Sequence, residues 1–175
     1  KLPLKRTWSL TRSDARITLA PASSGLRDTA YLLSGGILDC LDLSPSGSIK
    51  WRRFVDAHNA TLSFVGEKIL LVENGRSRRG RSRALALSAR NGRFLWEAPV
   101  PSALGNPFFF EDKLMYHARR GKMVVLNLED GTLAWERNLD EGHLVDPYWD
   151  GQKLHVFHAS LWHGPKHMTL DPSTG

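Results

Sequence analysis

The chain has 175 residues, a formal charge of +6 and one cysteine, Cys40, so no disulfide can form within it. No run of 18 apolar residues occurs, which excludes a membrane-spanning helix. The length suffices for an adequate core, and the surplus of Lys and Arg points toward anionic partners.

Taken in chain order, the predicted elements are short apolar runs separated by turn residues, with no convincing helix, which gives an all-β reading. Residues 1–11, with Trp8, read as the end of an earlier unit. The first complete unit spans 12–51 and ends on Leu41-Asp42-Leu43-Ser44-Pro45-Ser46 followed by Gly47-Ser48-Ile49-Lys50-Trp51. Cys40 falls in an apolar strand there and reads as a small buried hydrophobe. The second unit spans 59–96, with strands at 61–65 and 69–72 flanking the turn at Gly66-Glu67. It closes on Ala84-Leu85-Ala86-Leu87-Ser88-Ala89-Arg90-Asn91 and Gly92-Arg93-Phe94-Leu95-Trp96. The third spans 106–135, turning at Glu111-Asp112 and closing on Gly131-Thr132-Leu133-Ala134-Trp135. The fourth, 145–175, turns at Asp150-Gly151-Gln152-Lys153 and lacks its last strand.

The glycines Gly47, Gly92, Gly131 and Gly175 are spaced by 45, 39 and 44 residues, and Trp51, Trp96 and Trp135 each follow their glycine by four. Asn91-Gly92 and Asp130-Gly131 are hairpin signals, because glycine accepts the positive φ of a tight turn. Each tryptophan then lies on the strand leaving the turn. Four short strands per unit at a period of about 40 residues describe a propeller blade. About three and a half blades are present, whereas propellers close with roughly four to eight. Lys1 is not a natural start, so the chain is expected to be part of a longer protein, or else to complete its ring by self-association. Two raw blade faces would otherwise be an aggregation liability.

These residues resemble the quinoprotein, or PQQ-like, β-propeller repeat family, whose repeat ends in a pattern like Ala-Leu-Asp-x-x-Thr-Gly-Lys-x-x-Trp. Thr169-Leu170-Asp171-Pro172-Ser173-Thr174-Gly175 matches its first part, residues 86–96 match with Ser88 for Asp, and 125–135 match with Asn127 for Asp. The first unit departs, with Leu41-Asp42-Leu43 out of step by one residue, as a β-bulge would leave it. The resemblance covers nearly the whole chain and implies a partial propeller belonging to a ring of seven or eight blades. It also implies a docking role for Gly47, Trp51, Gly92, Trp96, Gly131, Trp135 and Gly175, with each tryptophan packed between adjacent blades. The WD40 repeat is a rival, but Trp51, Trp96 and Trp135 are followed by Arg52, Glu97 and Glu136 rather than Asp, and its Gly-His element is missing.

The basic residues are concentrated between the second and third strands of the blades. Arg76, Arg78, Arg79, Arg81 and Arg83 occupy eight residues in the second unit, and Arg119, Arg120 and Lys122 occupy the same place in the third. The fourth has residues 158–167, rich in His. In an up-and-down blade these loops share one end, so the basic loops are expected to converge on one rim and attract an anionic partner. The candidates are an acidic protein surface, anionic lipid headgroups or nucleic acid, and few aromatics interleave the arginines, which weakens a single-stranded nucleic-acid reading. Asn59-Ala60-Thr61 has the form of a glycosylation sequon and reads as a chance occurrence.

His163 and His167 have a spacing seen in metal sites, with His155 and His158 nearby, but the segment reads as loop entering strand and no carboxylate pair completes a ligand set. His155 and His158 are expected on opposite strand faces. The family includes PQQ-dependent dehydrogenases, which hold quinone and calcium on the propeller axis, and the alcohol dehydrogenases among them stack the quinone on adjacent cysteines. No such pair and no mappable calcium ligands occur here, so PQQ and calcium enter only if the chain is part of a dehydrogenase. The resemblance implies instead a non-catalytic scaffold without cofactor, binding a protein partner as the periplasmic scaffold lipoproteins of outer-membrane protein assembly do. A dehydrogenase piece and a sensor domain of a kinase-type receptor are the alternatives.

Overall fold

In the computed structural model the described residues are 16–19, 26, 28–45, 47–57, 60–73, 82–100, 103–118, 121–139, 143–160 and 164–175. Among them every regular element is a strand, arranged as four sheets in which sequence neighbours are hydrogen-bonded neighbours. The first sheet holds β1 (Arg16–Leu19), β2 (Thr29–Ser34), β3 (Ile37–Asp42) and β4 (Ile49–Phe54). The second holds β5 (Ala60–Val65), β6 (Lys68–Glu73), β7 (Ser82–Ser88) and β8 (Phe94–Val100). The third holds β9 (Ala103–Phe110), β10 (Lys113–Ala118), β11 (Lys122–Asn127) and β12 (Leu133–Asn138). The fourth has three strands, β13 (His143–Trp149), β14 (Leu154–Ser160) and β15 (Gly164–Leu170). This is the all-β, partial PQQ-like propeller architecture that the repeat implies.

Sequence character follows place in the sheet. In the first three sheets the second and third strands are largely buried on both faces, so they read as continuous apolar runs: all six residues of β2 are buried, as are Leu114 to Ala118 of β10. The fourth strand is an edge. On β12 only Trp135 is buried, and on β4 Phe54 is largely exposed.

The chain divides into two compact units, residues 1–71 with 85–95 and residues 72–84 with 96–175, so the second sheet contributes to both. In the first unit Tyr31, Leu33 and Leu38 pack with Ile69, Leu71, Leu85 and Leu87. In the second, Phe110, Met115, Met123, Val125 and Trp135 pack with Leu154, Val156 and Leu170. Both are face-to-face packings of successive sheets.

Three local features differ from the sequence reading. The register shift at Cys40/Leu41 has a counterpart at Val125/Leu126, so a bulge beside the tryptophan is common to both sheets and does not set the first unit apart. Its extra residue lies in the turn instead: the Gly47 amide bonds the Ser44 carbonyl, whereas the Gly92, Gly131 and Gly175 amides reach back four residues to Ser88, Asn127 and Asp171. These are i→i+4 turns that finish on a glycine at positive φ, rather than two-residue hairpins. Finally, β9 and β13 begin ahead of the expected 106 and 145. Each is an edge strand that absorbs a proline, Pro107 or Pro147, at a register shift, where no ladder amide is required.

Candidate functional site

The glycines and tryptophans meet pairwise. In the first unit Trp51 Nε1 donates to the Ala89 carbonyl at 3.1 Å, and the Tyr31 hydroxyl donates to the same oxygen at 3.1 Å. Gly92 follows three residues later at φ +68, and a Cβ on it would lie 2.7 Å from Trp51 Cε3. Arg53 Nε then donates to the Gly92 carbonyl at 3.1 Å. In the second unit Trp96 Nε1 donates to the Leu128 carbonyl at 3.0 Å and its ring lies against Gly131. Trp135 Nε1 donates to the Pro172 carbonyl at 2.9 Å and its ring lies against Gly175, whose carbonyl accepts from Arg137 at 2.5 Å. The receiving carbonyl is always three residues before the receiving glycine. Gly47, at φ +61, opens the strand that carries Trp51.

The order of elements explains this repetition. The turn between the third and fourth strands presents one outward carbonyl and one side-chain-free surface, and a planar donor fits both. An indole offers a large apolar face and a single N–H, so it is buried without leaving an orphaned polar atom. Neither the accepting carbonyls nor the arginines at 53 and 137 emerged from the sequence reading. A backbone carbonyl has no residue signature, but the arginines do: aligning the units on their tryptophans places Arg53, Ala98 and Arg137 at the same position, two residues further on.

Of the basic residues, Arg76, Arg78, Arg79, Arg81, Arg119 and Arg120 lie outside the described residues, as do Trp8, Asn59 and His163. Arg83 is half-buried between Glu97, at 3.1 Å, and Glu73, at 3.6 Å. Lys122 pairs with Glu136 at 2.7 Å.

The histidines of the fourth sheet occupy both faces of β14. His158 is buried, and His155 stacks between Tyr148 and His167, with ring centroids 4.4 Å and 5.3 Å away. His155 Nε2 meets Asp150 at 2.8 Å, while Nδ1 meets His167 Nε2 at 3.1 Å. Both ring nitrogens of His155 are engaged, so the group is a line of hydrogen bonds and not a convergent ligand set. Among the described residues no group of three or more His, Cys, Asp or Glu side chains is arranged to hold a metal ion. Cys40 is buried, and burial pushes its thiol up to about 11, leaving it protonated and unreactive at neutral pH.

A family model described as outer membrane protein assembly factor BamB matches residues 80–175, more than half of the chain. The chain belongs to this PQQ-like β-propeller repeat family. BamB of Moranella endobia (strain PCIT) is 28% identical over 127 residues, which is 71% of this chain and 31% of that protein. The crystal structure of BamB from Moraxella catarrhalis superposes with a TM-score of 0.61 at 19% identity, covering 85% of this chain and 44% of that one. The quinohemoprotein alcohol dehydrogenase ADHIIG of Pseudomonas putida HK5 superposes with a TM-score of 0.57 at 14% identity, covering 85% and 32%. The two structural likenesses speak for the PQQ-like propeller fold alone, since BamB and an alcohol dehydrogenase share it. The chain spans less than half the length of each of these proteins. Among the described residues of this family member, no helix is long and apolar enough to cross a membrane.

Proposed function

We propose that the chain is part of a non-catalytic PQQ-like propeller that binds protein partners in the bacterial cell envelope, in the service of outer-membrane protein assembly. The family match over residues 80–175 carries this reading, because the matching model is that of an outer-membrane assembly factor. The Moranella endobia relative supports it from the same side. In this reading residues 12–51, 59–96, 106–135 and 145–175 are successive blades of one domain, and Trp51, Trp96 and Trp135 lock each blade to the glycine of the next. Further blades or a second copy complete the ring. The partner surface is the basic rim of Arg76, Arg78, Arg79, Arg81, Arg83, Arg119, Arg120 and Lys122, facing an acidic protein surface. Within that rim Arg83 is paired with Glu97 and Lys122 with Glu136.

The test is site-specific photocrosslinking from positions 78 and 119 of the complete protein in its own cells. Crosslinks to components of outer-membrane assembly are expected, and charge reversal at the same rim is expected to abolish them. Crosslinks confined to cytoplasmic proteins, or a dye-reducing activity dependent on added PQQ and calcium, would overturn the reading.

A further inference from the structure

The turn that receives Trp51 contains a chemically reactive pair. Of the residues that stand before the four docking glycines, Ser46, Asn91, Asp130 and Thr174, only Asn91 carries a carboxamide. Asn91 is exposed, whereas Gly92 is buried against the Trp51 ring. Glycine has no side chain to shield its amide, so an Asn-Gly pair cyclises readily when its backbone is free. The Gly92 nitrogen bonds to Cγ of Asn91, and the side-chain nitrogen takes up the amide proton and leaves as ammonia. Water then opens the ring at either of its carbonyls. One opening leaves an aspartyl residue at 91. The other leaves an isoaspartyl residue, whose main chain runs through Cβ and Cγ and is longer by a methylene.

The folded turn holds this reaction in check. The Gly92 amide, which must lose its proton to attack, donates to the Ser88 carbonyl at 2.8 Å. Asn91 Oδ1 accepts from the Arg93 amide at 3.0 Å, which ties down the carboxamide. Side chains of the first sheet clamp the turn from outside. Trp51 Nε1 and the Tyr31 hydroxyl donate to the Ala89 carbonyl, and Arg53 Nε donates to the Gly92 carbonyl, each at 3.1 Å. Ring closure therefore requires the turn to open locally, and the docked indole opposes that opening.

The two products differ in what they do to the dock. The aspartyl product has a precedent within the chain. Asp130 stands before Gly131 and accepts from the Thr132 amide at 2.9 Å, as Asn91 does from Arg93, and Trp96 docks on that turn. The isoaspartyl product has none. Its extra methylene lies between the Ala89 carbonyl and Gly92, so it changes the separation of the acceptor and the bare backbone that Trp51 needs together. We propose that Asn91 is a deamidation site gated by the docking of Trp51, and that its isoaspartyl product no longer holds the indole. Each opening of the dock gives the turn a chance to take a one-way chemical step, so conversion at 91 records how often Trp51 leaves.

The experiment incubates the chain at mildly alkaline pH beside the peptide acetyl-Ala-Arg-Asn-Gly-Arg-amide, which repeats residues 89–93 without the fold. Conversion is read site by site, by mass spectrometry and isoaspartate-specific methylation, because Asn74-Gly75 is a second such pair and lies outside the described residues. Asn91 of the chain is expected to convert at least about tenfold more slowly than the peptide. Trp51→Ala is expected to raise the rate at 91 at least about tenfold. Trp96→Ala removes the corresponding indole of the second unit and controls for a general loss of stability. It is expected to change the rate at 91 less than about threefold. Asn91→Asp is expected to keep the Trp51 indole N–H resonance of the parent, and the purified isoaspartyl chain to lose it. Conversion of the parent as fast as the peptide, equal rates in Trp51→Ala and the parent, or equal acceleration by Trp96→Ala would overturn the proposal. So would an isoaspartyl chain that retains the parent's Trp51 resonance.

Discussion

Trp96 lies flat on the backbone of Gly131: a Cβ added there would come within 2.5 Å of Trp96 Cε3, and Gly131 holds a φ of +76. Space and backbone conformation therefore demand glycine for independent reasons. Gly131→Ala is expected to lose about 2–4 kcal/mol, combining left-handed strain with displacement of the indole. Gly35 provides the control, since its φ is +57 with nothing within 4 Å of an added Cβ. Gly35→Ala meets only the backbone term, about 1 kcal/mol. Urea unfolding of the two variants separates these terms, and equal losses would show that the indole does not hold Gly131 in place.

The indole itself is the larger contribution. Trp96 is 8% exposed and gives its only polar hydrogen to the Leu128 carbonyl. Trp96→Ala is expected to cost about 3–5 kcal/mol, as other buried aromatic truncations do. Trp96→Phe retains most of the face and loses the donor, for about 1–2 kcal/mol. A loss under about 1 kcal/mol for the alanine variant in a chemical melt would reject the docking role.

The fold was legible because Gly-x-x-x-Trp fixes both a turn and the strand after it, and because the paired central strands carry unmistakable apolar runs. The edges were less legible. Pro107 and Pro147 look like strand breakers, yet each sits on an edge strand where a bulge accepts it. The fourth sheet's histidines were legible as a group, but their hydrogen-bonded line depends on the pairing of β14 with β15.

The turn that receives Trp135 should respond to acid. The Asp171 carboxylate accepts from the Ser173 hydroxyl and, at 2.9 Å, from the Ser173 amide, which lowers its pKa from 3.8 to about 2. A carboxyl whose folded value lies below its unfolded value stabilises the fold fully above the unfolded value. That contribution is lost as pH falls from about 4 toward 2. Melting temperature is therefore expected to drop across this window, and less steeply in Asp171→Asn, which has no proton to take up there. Asp150 has a similarly lowered value, held chiefly by the Lys153 amide and by His155, so the double variant should be flatter still. An Asp171→Asn profile as steep as the parent's would assign the acid sensitivity elsewhere.

Charge reversal tests the rim without disturbing the docking glycines and tryptophans. Arg78, Arg79, Arg119 and Arg120 carry four of its charges, and replacing them with glutamate changes the local charge by eight. If the proposed rim is a solvated surface, each substitution shifts stability by roughly 0.5 kcal/mol or less, and the variant should melt within a few degrees of the parent. Attraction to an acidic surface should fall much further, and should weaken with added salt in the parent but not in the variant. Heparin, anionic vesicles and nucleic acid serve as the anionic probes. Affinity reduced at least about tenfold for heparin, with the salt dependence removed, is the expected outcome. Undiminished binding to all three probes would show that these loops do not form a common electrostatic surface.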